Sequence, residues 1–106
     1  MGEGVATVTD ASFKQFTGQQ GLVLVDFWAP WCGPCKRIGP VVEQLATEMP
    51  QVKFGKLNTD ENQMTAVQNN VMSIPTLIVY KNGQKVDQIV GAVPKEMLVA
   101  SLKKAA

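Results

Sequence analysis

The chain contains no histidine. That absence removes Cys–His and Ser–His–Asp catalysis, together with every histidine-ligated metal site. Cysteine is scarce: there are two in 106 residues. A structural zinc would need carboxylates or a second chain to complete it, so no metal is expected. Neither sign of charge is in excess, with 10 basic against 9 acidic residues. The basic residues are scattered apart from Lys36-Arg37 and Lys103-Lys104. No basic stripe points to nucleic acid, and no polybasic segment points to a membrane surface. Long apolar runs are also missing. The longest, Leu22 to Trp28, is broken by Asp26 and is too short to span a bilayer. Met1 to Asp10 carries no apolar core of a signal peptide. A cytoplasmic location is the expectation, although a processed mature protein would look the same.

What is present suits one folded unit. The length fits a single domain over 1–106, and a hydrophobic fraction of 45% suffices for a core. No large apolar stripe is evident, so a monomer is expected. Val5 to Thr9 reads as a strand, and Asp10 as the N-cap of a helix carrying Phe13 and Phe16 and ending at Gly18. Leu22, Leu24 and Trp28 alternate with Val23, Val25 and Phe27. A strand apolar at both parities is a central one, covered on both faces. Asp26 therefore falls in the interior.

Ile38, Val41, Val42, Leu45, Ala46 and Met49 recur at helical steps. Pro34 suits the start of this helix, Pro40 kinks it and Pro50 marks its end. Val52 to Asn58 is a second buried strand. Asp60 or Asn62 is expected to cap a helix through Met64 and Val67. Thr76 to Tyr80 is a third strong strand, and Asn82-Gly83 turns it into Lys85 to Val90 as a hairpin. Pro94 opens a last helix, with Leu98, Ser101, Leu102 and Ala105 near one face. The order β-α-β-α-β-α-β-β-α predicts an α/β domain. Its sheet should be mostly parallel, with helices on both faces and the hairpin as an antiparallel edge.

The chemistry falls in Trp31-Cys32-Gly33-Pro34-Cys35, between a buried strand and a helix. A disulfide closing so small a ring restrains little of the unfolded chain, so it is a poor staple and better suited to cycling. The helix start offers free N–H groups and the positive end of a dipole, which favour a thiolate at Cys32. Lys36 adds positive charge nearby. Cys35, one turn inward, is expected to be the more buried and less reactive thiol. A structural dithiol is the alternative, and the strand–loop–helix setting argues against it. Asp26 loses hydration in a covered strand, which raises its pKa. It reads either as a proton partner for Cys35 or as a hydrogen-bonded structural acid. Lys56 is its ionic neighbour or a lysine reaching to water. Trp28 reads as core packing, and Trp31 as an exposed aromatic suited to holding a partner protein. Ile74-Pro75 has either peptide isomer open to it.

Asp26-Phe27-Trp28-Ala29-Pro30-Trp31-Cys32-Gly33-Pro34-Cys35-Lys36 resembles the active-site segment of thioredoxins. Lys56-Leu57-Asn58, Ser73-Ile74-Pro75-Thr76, Lys81-Asn82-Gly83 and Val90-Gly91-Ala92 resemble further motifs of that family, in the right order. The resemblance implies the thioredoxin fold, a five-stranded mixed sheet flanked by four helices. It implies a protein-disulfide reductase in which Cys32 attacks and Cys35 resolves, ending as a Cys32–Cys35 disulfide. It implies Asp26 as the buried acid with Lys56 beside it, and Pro75 as a cis proline. The implied substrate groove is Trp31, Ile74, Pro75, Gly91 and Ala92, with Gly33-Pro34 of the reducing type. Its partners would be disulfide-containing proteins and a thioredoxin reductase using flavin and NADPH, leaving this chain without a cofactor of its own. Three positions depart from the family's habit: Arg37 where an apolar residue is usual, Gly39 where alanine is common, and Thr59 where the groove is often apolar. A non-catalytic binding module using the Trp31, Pro75 and Gly91 surface is the competing reading.

Overall fold

The computed structural model describes residues 4–106. The first three positions of the expected 1–106 unit therefore lie outside the described residues. The elements are β1 (Val5–Thr7), α1 (Phe13–Thr17), β2 (Leu22–Trp28), α2 (Gly33–Glu48), β3 (Lys53–Asn58), α3 (Gln63–Gln68), β4 (Thr76–Lys81), β5 (Gln84–Val90) and α4 (Lys95–Ala105). The five strands form one sheet in the order β1-β3-β2-β4-β5. β2 is central, as its two apolar parities require.

Each parity feeds a separate core. Leu22 and Leu24 face α2 and α4, where they pack with Ile38, Val42, Leu45, Leu98 and Leu102. Val23, Val25 and Phe27 face α1 and α3, where they pack with Leu57, Ala66, Phe13 and Phe16. Each fully buried apolar side chain of this size contributes roughly 1.5–3 kcal/mol, so the sheet is held from both sides. Gly55 on β3 has a reason in space. A Cβ there would come within 2.6 Å of Val8 and 2.7 Å of the Phe16 ring.

The first three strands in the sheet are parallel, and β5 pairs antiparallel to β4. The expected antiparallel edge begins one strand early, because β4 already runs antiparallel to β2. The chain re-enters the sheet from the end it left: β3 exits with Asn58 beside Trp28, and β4 enters with Thr76 beside Phe27. This return brings the 73–75 segment next to the loop that follows β2. The hairpin forms as expected, with Asn82 and Gly83 both at positive φ.

Helix starts hold one surprise. Asp10 does not cap α1, whose N-cap is Ser12. Instead its carboxylate accepts from the backbone N and hydroxyl of Thr65, at 2.9 and 2.6 Å, in the first turn of α3. Asn62 answers by accepting from the Asp10 backbone N at 2.8 Å. The result is a reciprocal cap of the kind a capping box makes within one helix, here closed between two distant segments.

Candidate active site

α2 begins where β2 has delivered the chain to the rim of the sheet. Cys32 is its N-cap, with extended φ −89° and ψ 112°, and Pro34 lies in the first turn. Cys32 and Cys35 are joined as a disulfide, with Cα atoms 5.3 Å apart. The Cys35 backbone N donates to Cys32 Sγ at 3.2 Å. A sulfur thus does the work that a serine or aspartate oxygen does at an ordinary N-cap. Cys32 Sγ also lies 3.8 Å from the Ile74 carbonyl. A disulfide sulfur has no proton to give, so that contact becomes a hydrogen bond only in the thiol form. The two cysteines are equally buried, at 4% and 5% exposed. The expected contrast between an exposed Cys32 and a shielded Cys35 is therefore absent from the oxidised state, where Ala29, Trp28 and Ile74 pack around both.

Asp26 lies in β2, on the face covered by α2, and is 4% exposed. Its Oδ1 finds no hydrogen-bond partner among the described residues. Burial pushes its pKa up to about 7, and the charge of Lys56 opposes that rise. Lys56 is its cross-strand neighbour in β3. The two make no direct ion pair. The Lys56 ammonium sits instead over the Trp28 ring, 5.6 Å from its centroid. One oxygen of the Asp26 carboxylate thus stays without a protein donor among the described residues. A cleft of about 260 Å³ runs under α2 to reach both Asp26 and Cys35.

On the other side of the disulfide lies a shallow groove lined by Trp31, Thr59, Ala66, Val71, Met72, Ser73 and Ile74. Trp31 is 70% exposed. Its indole N donates to Asp60 at 3.1 Å, so Asp60 orients the aromatic instead of capping α3. Asn62 holds that cap position. Ile74-Pro75 is cis. Pro75 is buried and does not line the groove, but its carbonyl accepts from Gly91 N at 2.8 Å. Gly91 holds φ at +100°, a conformation that suits glycine. Ala92 packs half-buried against the α2–α4 core. Of the expected groove residues, then, Trp31 and Ile74 form its wall. Gly33 and Pro34 stand exposed at the helix start, and Pro75 and Gly91 brace it from behind.

Comparison with known proteins decides the family. The family model described as Thioredoxin matches residues 4–104. This chain belongs to the thioredoxin family. It is 54% identical over 101 residues to thioredoxin 1 of Synechococcus elongatus, covering 93% of this chain and 94% of that one. It is also 54% identical over 99 residues to thioredoxin of Synechocystis, covering 92% of each. The structure of Malassezia sympodialis thioredoxin superposes with a TM-score of 0.86 at 39% identity, covering all of this chain and 96% of the other. The chain is accordingly a thiol–disulfide oxidoreductase with a redox-active cysteine pair and protein-disulfide reductase activity. The thioredoxin fold, with four helices flanking a five-stranded mixed sheet, is as expected. No helix among the described residues is long and apolar enough to cross a membrane.

Some contributors to this thioredoxin site were not found from the sequence. In the sequence Asp60 and Asn62 are alternatives for one helix cap, and the role that Asp60 takes depends on Trp31, 29 positions away. Met72, 93% exposed, is not distinguished in the sequence from its apolar neighbours Val71 and Ile74. The three departures lie in different surroundings. Arg37 is exposed, and Thr59 tethers its backbone N to the Trp28 carbonyl at 2.8 Å. Gly39 lies on the rim of the cleft under α2.

Proposed function

We propose that the reduced protein passes two electrons to disulfides of other proteins, with Cys32 as nucleophile and Cys35 as resolving thiol. The observation that carries this reading is the position of Cys32 as N-cap of α2, with an unpartnered buried acid beneath the pair. The first-turn N–H groups and the helix dipole favour negative charge on Cys32. The Cys32 thiolate attacks one substrate sulfur. The substrate S–S bond breaks, one substrate sulfur leaves as thiolate, and a mixed disulfide forms. Asp26 takes the proton of Cys35, and the new thiolate attacks Cys32 Sγ. The second substrate sulfur leaves, and Cys32–Cys35 is oxidised. An acid with a pKa of about 7 is half ionised near neutral pH, so it accepts and returns a proton with little cost. Lys56 holds the Asp26 pKa below where burial alone would put it. Trp31, Gly33, Pro34, Ile74 and Ala92 present the surface on which the substrate chain lies, with Pro75 and Gly91 behind them.

A thioredoxin reductase using flavin and NADPH returns the electrons. The chain works as a single domain and a monomer in the cytoplasm, a compartment that keeps dithiols reduced. Insulin reduction tests the reading. The wild type should precipitate insulin chains under a reductase and NADPH, and Cys32→Ser should fall to the uncatalysed rate. Equal slow rates for the two would abandon it. Cys35→Ser should accumulate a covalent adduct with insulin through Cys32, visible by mass spectrometry under non-reducing conditions. An adduct through residue 35 in Cys32→Ser alone would reverse the assigned roles.

A further inference from the structure

Arg37 is the chain's only arginine. It is exposed and makes no hydrogen bond or ion pair among the described residues, where Lys95–Glu48 is the one salt bridge. Lys36 beside it is exposed and equally unpartnered. Their neighbours one turn away along α2 are Cys32, Gly33 and Pro34 before them and Gly39, Pro40 and Val41 after, so no carboxylate on the helix is within reach. The first turn holds no acid either. Two cations close to the positive end of the helix dipole thus go unanswered. A side chain on a helix covers the turn that precedes it. Arg37 therefore lies over the turn of Gly33 and Pro34, with Gly33 about 6 Å nearer the helix start. Both are exposed, and a Cβ built on Gly33 meets nothing within 4 Å. The ground beside Arg37 is open to a partner chain. The opposite flank differs in charge. The groove there has no charged residue in its lining, and Asp60, bonded to the Trp31 indole, adds negative charge at that end.

We propose that Arg37, assisted by Lys36, selects the disulfides this protein reduces, favouring those flanked by aspartate or glutamate. The inference rests on the reading that the substrate chain lies over Gly33 and Pro34. A guanidinium presents a planar fork that pairs with a carboxylate through two bonds. An acid on the partner answers both cations, and a base is repelled by both. The selection acts on docking, because the exchange at sulfur is the same for every substrate.

Three peptides test this, each closed by one disulfide and alike except that glutamate, glutamine or lysine flanks both cysteines. The reduced full chain is mixed with each and quenched with acid, and the released peptide thiols are counted by chromatography. Each rate is divided by the rate with dithiothreitol, which removes the peptide's own reactivity. At low ionic strength the glutamate peptide should react at least about threefold faster than the glutamine one, with the lysine peptide slowest. In about 0.5 M salt the three should come within about twofold of one another. Arg37→Lys should keep the order. Arg37→Glu should erase the glutamate advantage and speed the lysine peptide. A role confined to holding the Cys32 thiolate would instead slow Arg37→Glu on all three alike and leave their ratios fixed. That result, equal normalised rates for the wild type, or an order indifferent to salt would each overturn the inference. Should Arg37→Glu fail to fold, the salt dependence of the wild type decides. Reduction of none of the peptides would overturn the reading beneath it as well.

Discussion

Asp26 is the residue on which stability and chemistry pull in opposite directions. Its folded pKa of about 7 stands above the 3.8 of an ordinary aspartate. The folded state thus holds the proton more tightly than the unfolded chain does. Below about pH 4 both states are protonated and the group costs nothing. As pH rises from 4 to 7 the unfolded state ionises first, and the fold loses stability. Above 7 the loss is complete, at roughly 4 kcal/mol for a shift of this size. Urea unfolding of oxidised wild type and Asp26→Asn should therefore show the variant gaining on the wild type by up to that amount between pH 4 and pH 8. A difference that stays flat with pH would mean that the fold leaves the Asp26 pKa unshifted. Asp26 lines the same cleft as Cys35, and on the proton role proposed above a neutral replacement should gain stability and lose turnover together.

Among the elements, α2 and α3 are the two most open to improvement or damage. α2 carries Gly39 next to Pro40, in a helix already missing one backbone donor. Gly39→Ala meets no neighbour within 4 Å and needs no unusual φ. It should add roughly 0.5–1 kcal/mol, read as a higher urea midpoint with an unchanged m-value. α3 has the opposite problem. It is too short to stand alone, and its first turn depends on Asp10. Asp10→Ala should cost about 1–2 kcal/mol. Amide exchange should quicken first in Thr65 and its neighbours and leave α2 and α4 protected. Uniform quickening would show that α3 does not open separately. Both effects belong to whole helices, because neither residue touches a sulfur.

At the scale of the molecule, the redox bridge is a minor structural member. The ring it closes spans three positions, and the chain-entropy cost of such a ring is roughly 2 kcal/mol. Two cores on either face of the sheet carry the rest. Reduction should therefore lower the unfolding free energy by no more than about 2 kcal/mol and leave the far-ultraviolet circular dichroism unchanged. Collapse on adding reductant would contradict this division. The features legible in the sequence share a property: each is decided by neighbours along the chain. The both-parity apolar run of β2, the Asn82-Gly83 turn and the Cys-Gly-Pro-Cys helix start are of this kind. The direction of β4 is not legible, since it depends on which end of the sheet the 59–75 connection returns to. Nor are the pairings of Asp10 with Thr65 and Trp31 with Asp60, or the equal burial of the cysteines. Those arise where segments far apart in sequence meet.

The tie between Asp10 and Thr65 also bears on the order in which the protein is made. The carboxylate leaves the ribosome 55 residues before the helix it closes, so it is waiting when the first turn of α3 emerges. A circular permutant that moved the first strand and its following loop to the end of the chain would reverse that order. Its third helix would have to wait for a cap synthesised last.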